Sequence, residues 1–233
     1  LGGVFNFLKV LKLSNHSLFA SLPIKYRYLL KDKPKQPNIN ISKTTTVSTS
    51  TIISDIAKSQ RTAFTEEGTS RDYVYKNSSF YDYHHISYLD NLPCYTSVVL
   101  GEIKKNSGFL SADLCKHDLN NSEINAIKRK LLFIDMLICS TDEIKALFKT
   151  KSTRNALVFL KKYVPHYVIH SPRRIYAKDK KCFELRVPYK KNLNVLGAGD
   201  IFCSYILFNM SLNMNLKNTI KIAISKTLKK LKS

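Results

Sequence analysis

The residues best placed to do chemistry are Leu196-Gly197-Ala198-Gly199-Asp200-Ile201-Phe202. Two glycines and an alanine stand directly before a strongly apolar run, Ile201 to Leu207, whose pattern predicts a helix. Small residues there let backbone N–H groups point into open space at the helix N-terminus. Unpaired donors and the positive end of the helix dipole then bind an anion. Asp200 puts a carboxylate at the same spot. On the residues alone, an acid there is equally well a first-turn residue that satisfies the dipole.

Other reactive side chains are weighed the same way. His84 and His85 are adjacent at the start of a strand and point to opposite sides, whereas a metal pair on a strand wants i, i+2 spacing. Asp90 and Asp113 each follow or end a predicted strand, and strand C-terminal ends line the crevice of an open α/β sheet. Either touches substrate or nucleotide, or caps a loop. Cys203 lies one turn past Asp200, with no histidine near it in sequence, and reads as packing. Tyr81, Tyr83 and Tyr88, near Lys76, could stack on bases, but period-two spacing favours core or edge packing.

The elements that must position these residues follow from patterning. Val4 to Leu13 has helical spacing, and Leu18 to Ile24 suits a short strand. Lys25 to Lys43, with Pro34 and Pro37, reads as a loop. Thr44 to Ser50 is low in complexity, but its β-branched residues run into Ile52-Ile53, predicting a strand with a return over Arg61 to Phe64. A two-stranded ribbon of this kind is marginal alone and must lie on something else.

From Tyr83 onward short apolar runs alternate with helical ones. The predicted strands are His84–Leu89, Phe109–Leu114, Ile134–Cys139 and Tyr167–His170. The predicted helices are Tyr95–Lys105 (ending at Gly108), Ser122–Lys130 (capped by Asn121 or Ser122), Asp142–Phe148 (after Ser140/Thr141) and Asn155–Tyr163. That alternation argues for parallel βαβ units. Arg174–Ala177 and Cys182–Val187 look like an antiparallel pair, and helices over Ala198–Met210 and Leu216–Leu231 follow. The last is amphipathic and basic. It could lie on a membrane surface or pack on the domain, the commoner outcome.

Composition bounds the function classes. The chain has 233 residues, 44% hydrophobic, enough for a core and against wholesale disorder. No apolar stretch approaches the roughly 20 residues that span a bilayer. Lys and Arg number 38 against 17 Asp and Glu, a net charge of +21. Clustered positive charge binds a phosphate backbone, but these residues are spread along the chain, which argues against a nucleic-acid partner. Cys94, Cys115, Cys139, Cys182 and Cys203 are odd in number and form no CxxC pair, so free thiols in a reducing cytoplasm are expected. The chain opens on Leu1, and Val4–Leu22 lacks the basic lead-in of a signal peptide. It reads as starting inside a domain.

Leu196-Gly197-Ala198-Gly199-Asp200-Ile201-Phe202 resembles the GAGD signature of the ribokinase-like (PfkB-type) carbohydrate kinases. The resemblance implies that Asp200 is the general base taking the proton of a substrate hydroxyl, and that the amides of Gly197, Ala198 and Gly199 form an anion hole. Phosphoryl transfer needs such positioning and charge stabilisation more than covalent chemistry. Gly2-Gly3 followed by Asn6 resembles the family's N-terminal Gly-Gly motif, which implies sugar contacts by Gly2, Gly3 and Asn6. The ribbon at 44–65 lies where the family places its lid. Ser140-Thr141-Asp142-Glu143 occupies the place of the family's Asn-x-x-Glu, implying that Glu143 helps organise Mg²⁺ indirectly. His170-Ser171-Pro172-Arg173-Arg174 falls at the nucleotide-binding turn.

The chain departs from the family in several places. The Gly-Gly motif is one residue short, with Leu8 at a usually small position. Ser140 replaces the Asn, and the nucleotide turn carries Pro172, Arg173 and Arg174 in place of glycines. The Leu22–Thr44 link is short, so a core helix is reduced to Lys25–Leu30 or lost.

The expectation is therefore one ribokinase-like α/β domain over 1–233, a mainly parallel sheet with helices on both faces and a β lid, lacking its first strand. The expected activity is ATP- and Mg²⁺-dependent phosphorylation of a hydroxyl on a sugar or sugar-like substrate. Lid ribbons in this family sometimes pair between subunits, which leaves a homodimer through the lid open. The alternative is a kinase-fold protein of weakened catalysis that serves as a basic binding module.

Overall fold

The computed structural model describes residues 20–23, 39–42, 49–55, 60–66, 80–91, 94–188 and 197–231. The chain divides into two compact units, one of residues 74–189 and one of residues 1–73 with 190–233.

In the second of these, β1 (Ala20–Pro23) pairs in parallel with β2 (Ile39–Ser42). β1 falls inside the strand expected at 18–24. β2 lies where a loop was expected: Lys31, Pro34 and Pro37 mark only the connection, and Ile39 and Ile41 suit an extended chain. β3 (Thr49–Asp55) pairs antiparallel with β4 (Gln60–Glu66), Ile52 opposite Ala63, forming the expected ribbon. The helices expected at 4–13 and 25–30 lie outside the described residues.

The unit of residues 74–189 is built on a six-stranded sheet. Its strands are β5 (Tyr81–Ile86), β6 (Ser107–Asp113), β7 (Met136–Ser140), β8 (His166–His170), β9 (Arg174–Lys178) and β10 (Cys182–Arg186). They lie in spatial order β10-β9-β8-β7-β6-β5. β5 to β8 are parallel, and β8, β9 and β10 form an antiparallel meander. The central strands read as unbroken apolar runs because both faces are covered: Met136 to Cys139 and Tyr167 to Ile169 are all buried. At the edge, β10 alternates between exposed and half-buried positions.

Four helices join these strands: α1 (Ser97–Lys105), α2 (Asn121–Leu131), α3 (Thr141–Leu147) and α4 (Thr153–Leu160). Each begins at a polar side chain that accepts a first-turn N–H, namely Thr96, Asn120, Ser140 and Ser152. The cap of α2 is Asn120, one residue before the expected position, because Asn120 and Glu123 form a reciprocal capping box. Gly108 does not end α1. That helix stops at Lys105, and Gly108 is the second residue of β6.

Leu100 and Ile103 of α1, Ile124, Ile127 and Leu131 of α2, Ile144 and Leu147 of α3, and Ala156 and Leu160 of α4 form one core with Ile86, Leu110, Ala112, Leu137, Tyr167 and Ile169 of the sheet. Each large aliphatic side chain buried there contributes about 1.5–3 kcal/mol. The core fixes the height of the strand ends, and the site described next depends on them.

The chain then returns to the other unit, where α5 (Ala198–Ser211) packs on α6 (Leu216–Lys230). α6 is capped by Asn215, whose side chain accepts from the Asn218 N–H at 3.0 Å.

Candidate functional site

Among the described residues, α5 starts differently from the other helices. Its N-cap is Gly197, with φ 72° and ψ 9°, and no side chain caps the first turn. That left-handed conformation costs a non-glycine residue about 1–2 kcal/mol. Gly197 therefore turns the chain into the helix without placing a side chain over the helix end. Gly197, Ala198, Gly199 and Asp200 are all half-buried. Asp200 sits in the first turn, and its carbonyl accepts from Ser204 Oγ at 2.6 Å. Ile201, Phe202 and Cys203 are buried, so the helix is anchored immediately after Asp200, and Cys203 is packing as expected. Gly2, Gly3, Asn6 and residues 189–196 lie outside the described residues.

In the unit of residues 74–189, the C-terminal ends of the parallel strands gather a second set of polar groups. Asp90, after β5, accepts N–H bonds from Cys115 (3.1 Å) and Lys116 (2.7 Å). Asp113, at the end of β6, accepts the Tyr88 N–H at 2.5 Å and faces His85 Nε2 at 3.3 Å. Tyr88 has φ 61°, so Asp113 holds a left-handed turn after β5. Both aspartates therefore hold loops at the strand ends. His85 Nδ1 lies 2.9 Å from Ser111 Oγ, while His84 Nδ1 lies 3.4 Å from Ser107 Oγ. The two histidine rings engage different serines of β6.

At the end of β7, Ser140 and Glu143 cap each other at the start of α3. Burial pushes the Glu143 carboxyl up from 4.5 to about 7; hydrogen bonds from Ser140 oppose this, and the charges of Asp113 and Asp90 add to it. Burial lowers His170, at the end of β8, to about 4, with Asp113 opposing, so its ring is neutral near pH 7. Burial and the Asp90 charge push the Cys115 thiol up, which removes it as a nucleophile. Asp90, Asp113, Glu143 and His170 thus share one electrostatic neighbourhood. Among the described residues the carboxylates of Asp90, Asp113 and Glu143 do not gather into a group that could hold an ion directly, so only an indirect part in placing a cation fits them.

The turn after β8 is tight. Ser171 N–H donates to the Arg174 carbonyl at 2.8 Å, and Arg174 N–H donates to Ser171 Oγ at 3.1 Å. The Arg174 guanidinium pairs with Glu184 at 2.8 Å, so one of the two arginines at this turn is engaged across the hairpin. Tyr81 meets the His84 ring edge-on, and Tyr83 packs on Phe109, which supports edge packing for these tyrosines.

Comparison with solved structures extends the resemblance to the backbone. A pyrophosphate-dependent kinase in the ribokinase family, complexed with a pyrophosphate analogue and myo-inositol, superposes with TM-score 0.69 at 14% identity, covering 99% of this chain and 86% of that one. A Vibrio cholerae fructokinase with fructose, ADP and potassium ion bound gives 0.71 at 17% identity, covering 97% and 81%. Anopheles gambiae adenosine kinase gives 0.79 at 15% identity, covering 99% and 79%.

The fold is ribokinase-like.

No protein-family model and no curated protein matches the sequence. At these identities the likeness is one of fold, and the ribokinase-like backbone is kept on a largely different set of side chains. Among the described residues no helix is long and apolar enough to cross a membrane.

Proposed function

We propose that this chain is an ATP-dependent phosphotransferase that phosphorylates a hydroxyl of a sugar or sugar-like substrate. The observation that carries the reading is the start of α5: a left-handed Gly197, no capping side chain, and Asp200 within the first turn. Open amides at a helix N-terminus suit a phosphoryl group in transfer. The neighbours add support, since they are kinases of an inositol, a hexose and a nucleoside.

In this reading Gly2, Gly3 and Asn6 hold the sugar, and the β3–β4 ribbon covers it and excludes water. Asp200 takes the proton of the acceptor hydroxyl as its oxygen attacks the γ-phosphorus. The bond from that phosphorus to the β-phosphate oxygen breaks, and ADP leaves with the bonding pair. The amides of Gly197, Ala198 and Gly199 stabilise the charge on the transferring oxygens. Mg²⁺, when bound, would neutralise phosphate charge, and Glu143 is the group that would help organise it indirectly. The five cysteines are all free thiols, consistent with a reducing cytoplasm.

A second reading has an observation of its own. The Glu143 carboxylate already caps α3, and Arg174 is paired with Glu184. These engagements favour a kinase-fold protein of weakened catalysis that acts as a basic binding module. Acceptor-dependent ADP release, measured with Mg·ATP against a panel of sugars, inositols and nucleosides, separates the two. A parallel arm with pyrophosphate as donor checks the donor. The transferase reading expects at least one acceptor to stimulate turnover. No stimulation by any acceptor with either donor would contradict it.

A further inference from the structure

Basic residues are spread along the sequence, but on α6 the fold gathers several of them. This helix carries Lys217, Lys221, Lys226, Lys229 and Lys230, all exposed, and no acidic residue. Leu216, Thr219, Ile220, Ala223 and Thr227 are its buried side. Lys217, Lys221, Ser225 and Lys229 follow one another at four-residue intervals along an exposed ridge, a rise of about 6 Å per step. Asn218 and Lys226 flank the ridge, both exposed.

Helix energetics do not call for this pattern. Lysines four apart repel each other, and Lys217 stands in the first turn, at the positive end of the dipole. Only Lys229 and Lys230, in the last turn, are placed where the dipole favours them. Among the described residues, none of Lys217, Lys221, Lys226 and Lys229 forms an ion pair. The charge of these four lysines therefore lies along the exposed side of the helix, with no ion pair among the described residues.

We propose that this ridge binds the phosphate backbone of a nucleic acid strand. Charge complementarity selects a polyanion, and the character of the face selects which one. A helix that lies on a bilayer needs its apolar side free to enter the lipid, and here that side is buried. The exposed residues between the lysines, Asn218 and Ser225, are polar and suited to phosphate and sugar oxygens. No aromatic residue occurs in α6, so base stacking is absent and binding is electrostatic and indifferent to sequence. The inference goes beyond the transferase reading and does not depend on turnover.

The test is fluorescence anisotropy of the full chain with a labelled mixed-sequence single-stranded RNA, titrated across salt. Four lysines on four phosphates predict a slope of log K against log salt of about −3, or roughly a 50-fold loss of affinity between 50 and 200 mM. Replacing Lys217, Lys221, Lys226 and Lys229 by Gln should take the slope close to zero, and replacing them by Arg should retain it. A control replaces Lys105, Lys151, Lys180 and Lys181, exposed residues of the other unit, by Gln. The control should keep the slope. Equal loss in both Gln variants would mean that net charge acts rather than the ridge, and would overturn the proposal. So would binding to phosphatidylserine vesicles without binding to RNA.

Discussion

Ser140 and Glu143 hold each other across the first turn of α3: the Ser140 N–H donates to Glu143 Oε2 at 2.6 Å, and the Glu143 N–H donates to Ser140 Oγ at 3.2 Å. One carboxylate thus closes a helix start and stands among Asp90 and Asp113 at the strand ends. Only one of these two settings is sensitive to its charge. Capping is served by an acceptor of either charge, whereas a buried anion beside other anions is unfavourable without a cation.

That sensitivity gives a pH dependence. The folded-state value of Glu143 is raised from 4.5 to about 7, so below pH 4.5 the group is protonated in both states and has no effect. As pH rises from about 4.5 to about 7 the unfolded chain loses this proton while the folded protein still holds it, so stability falls by up to about 3 kcal/mol and levels off above that range. Glu143→Gln keeps an acceptor at the capping position and removes the charge. Thermal melts in metal-free buffer should therefore show the variant gaining on wild type between pH 5 and pH 8. A constant difference across that range would contradict the shift.

Gly108 presses on the neighbouring strand. A Cβ built there would stand 2.9 Å from the Asp82 carbonyl oxygen, a backbone atom that cannot turn aside. Gly108→Ala should cost about 1–3 kcal/mol through overpacking. Hydrogen exchange should locate the loss in β5 and its pairing with β6.

Asn120 accepts the Glu123 N–H at 3.0 Å, and Glu123 Oε2 accepts the Asn120 N–H at 2.9 Å. Asn120→Ala removes half of that box, with an expected cost of about 1 kcal/mol. Chemical denaturation should show a lower midpoint with an unchanged slope.

The parallel core was legible because burial on both faces leaves an unmistakable mark: Met136 to Cys139 and Tyr167 to Ile169 have no polar interruption. The hairpin of β9 and β10 was legible from its alternation. β2 was not, because a four-residue strand beside a proline-rich connection carries too little pattern. Gly108 misled because glycine after a helix usually stops it, and only the approach of Asp82 from another strand explains its place. The α5 start was legible from local spacing alone. The links joining His85, Ser111 and Asp113 were not, since they span 26 and 28 residues and exist only once β5 and β6 settle in register.

Gly197 ties stability to the site. Its φ of 72° makes Gly197→Ala strained by about 1–2 kcal/mol. Relief of that strain would turn the first amides of α5. The variant should melt lower than wild type, and its kcat should fall by more than its acceptor KM rises, because in the proposed mechanism the amides act on charge that develops in the transition state.

Asp200→Asn asks whether Asp200 serves as the proposed base. The side chain keeps its size and the helix start keeps its geometry, but the proton acceptor is gone. With an acceptor identified from the panel, steady-state kinetics should show kcat lowered about 10²- to 10⁴-fold, with substrate binding and melting temperature close to wild type. Near-normal phosphorylation by Asp200→Asn would contradict the account.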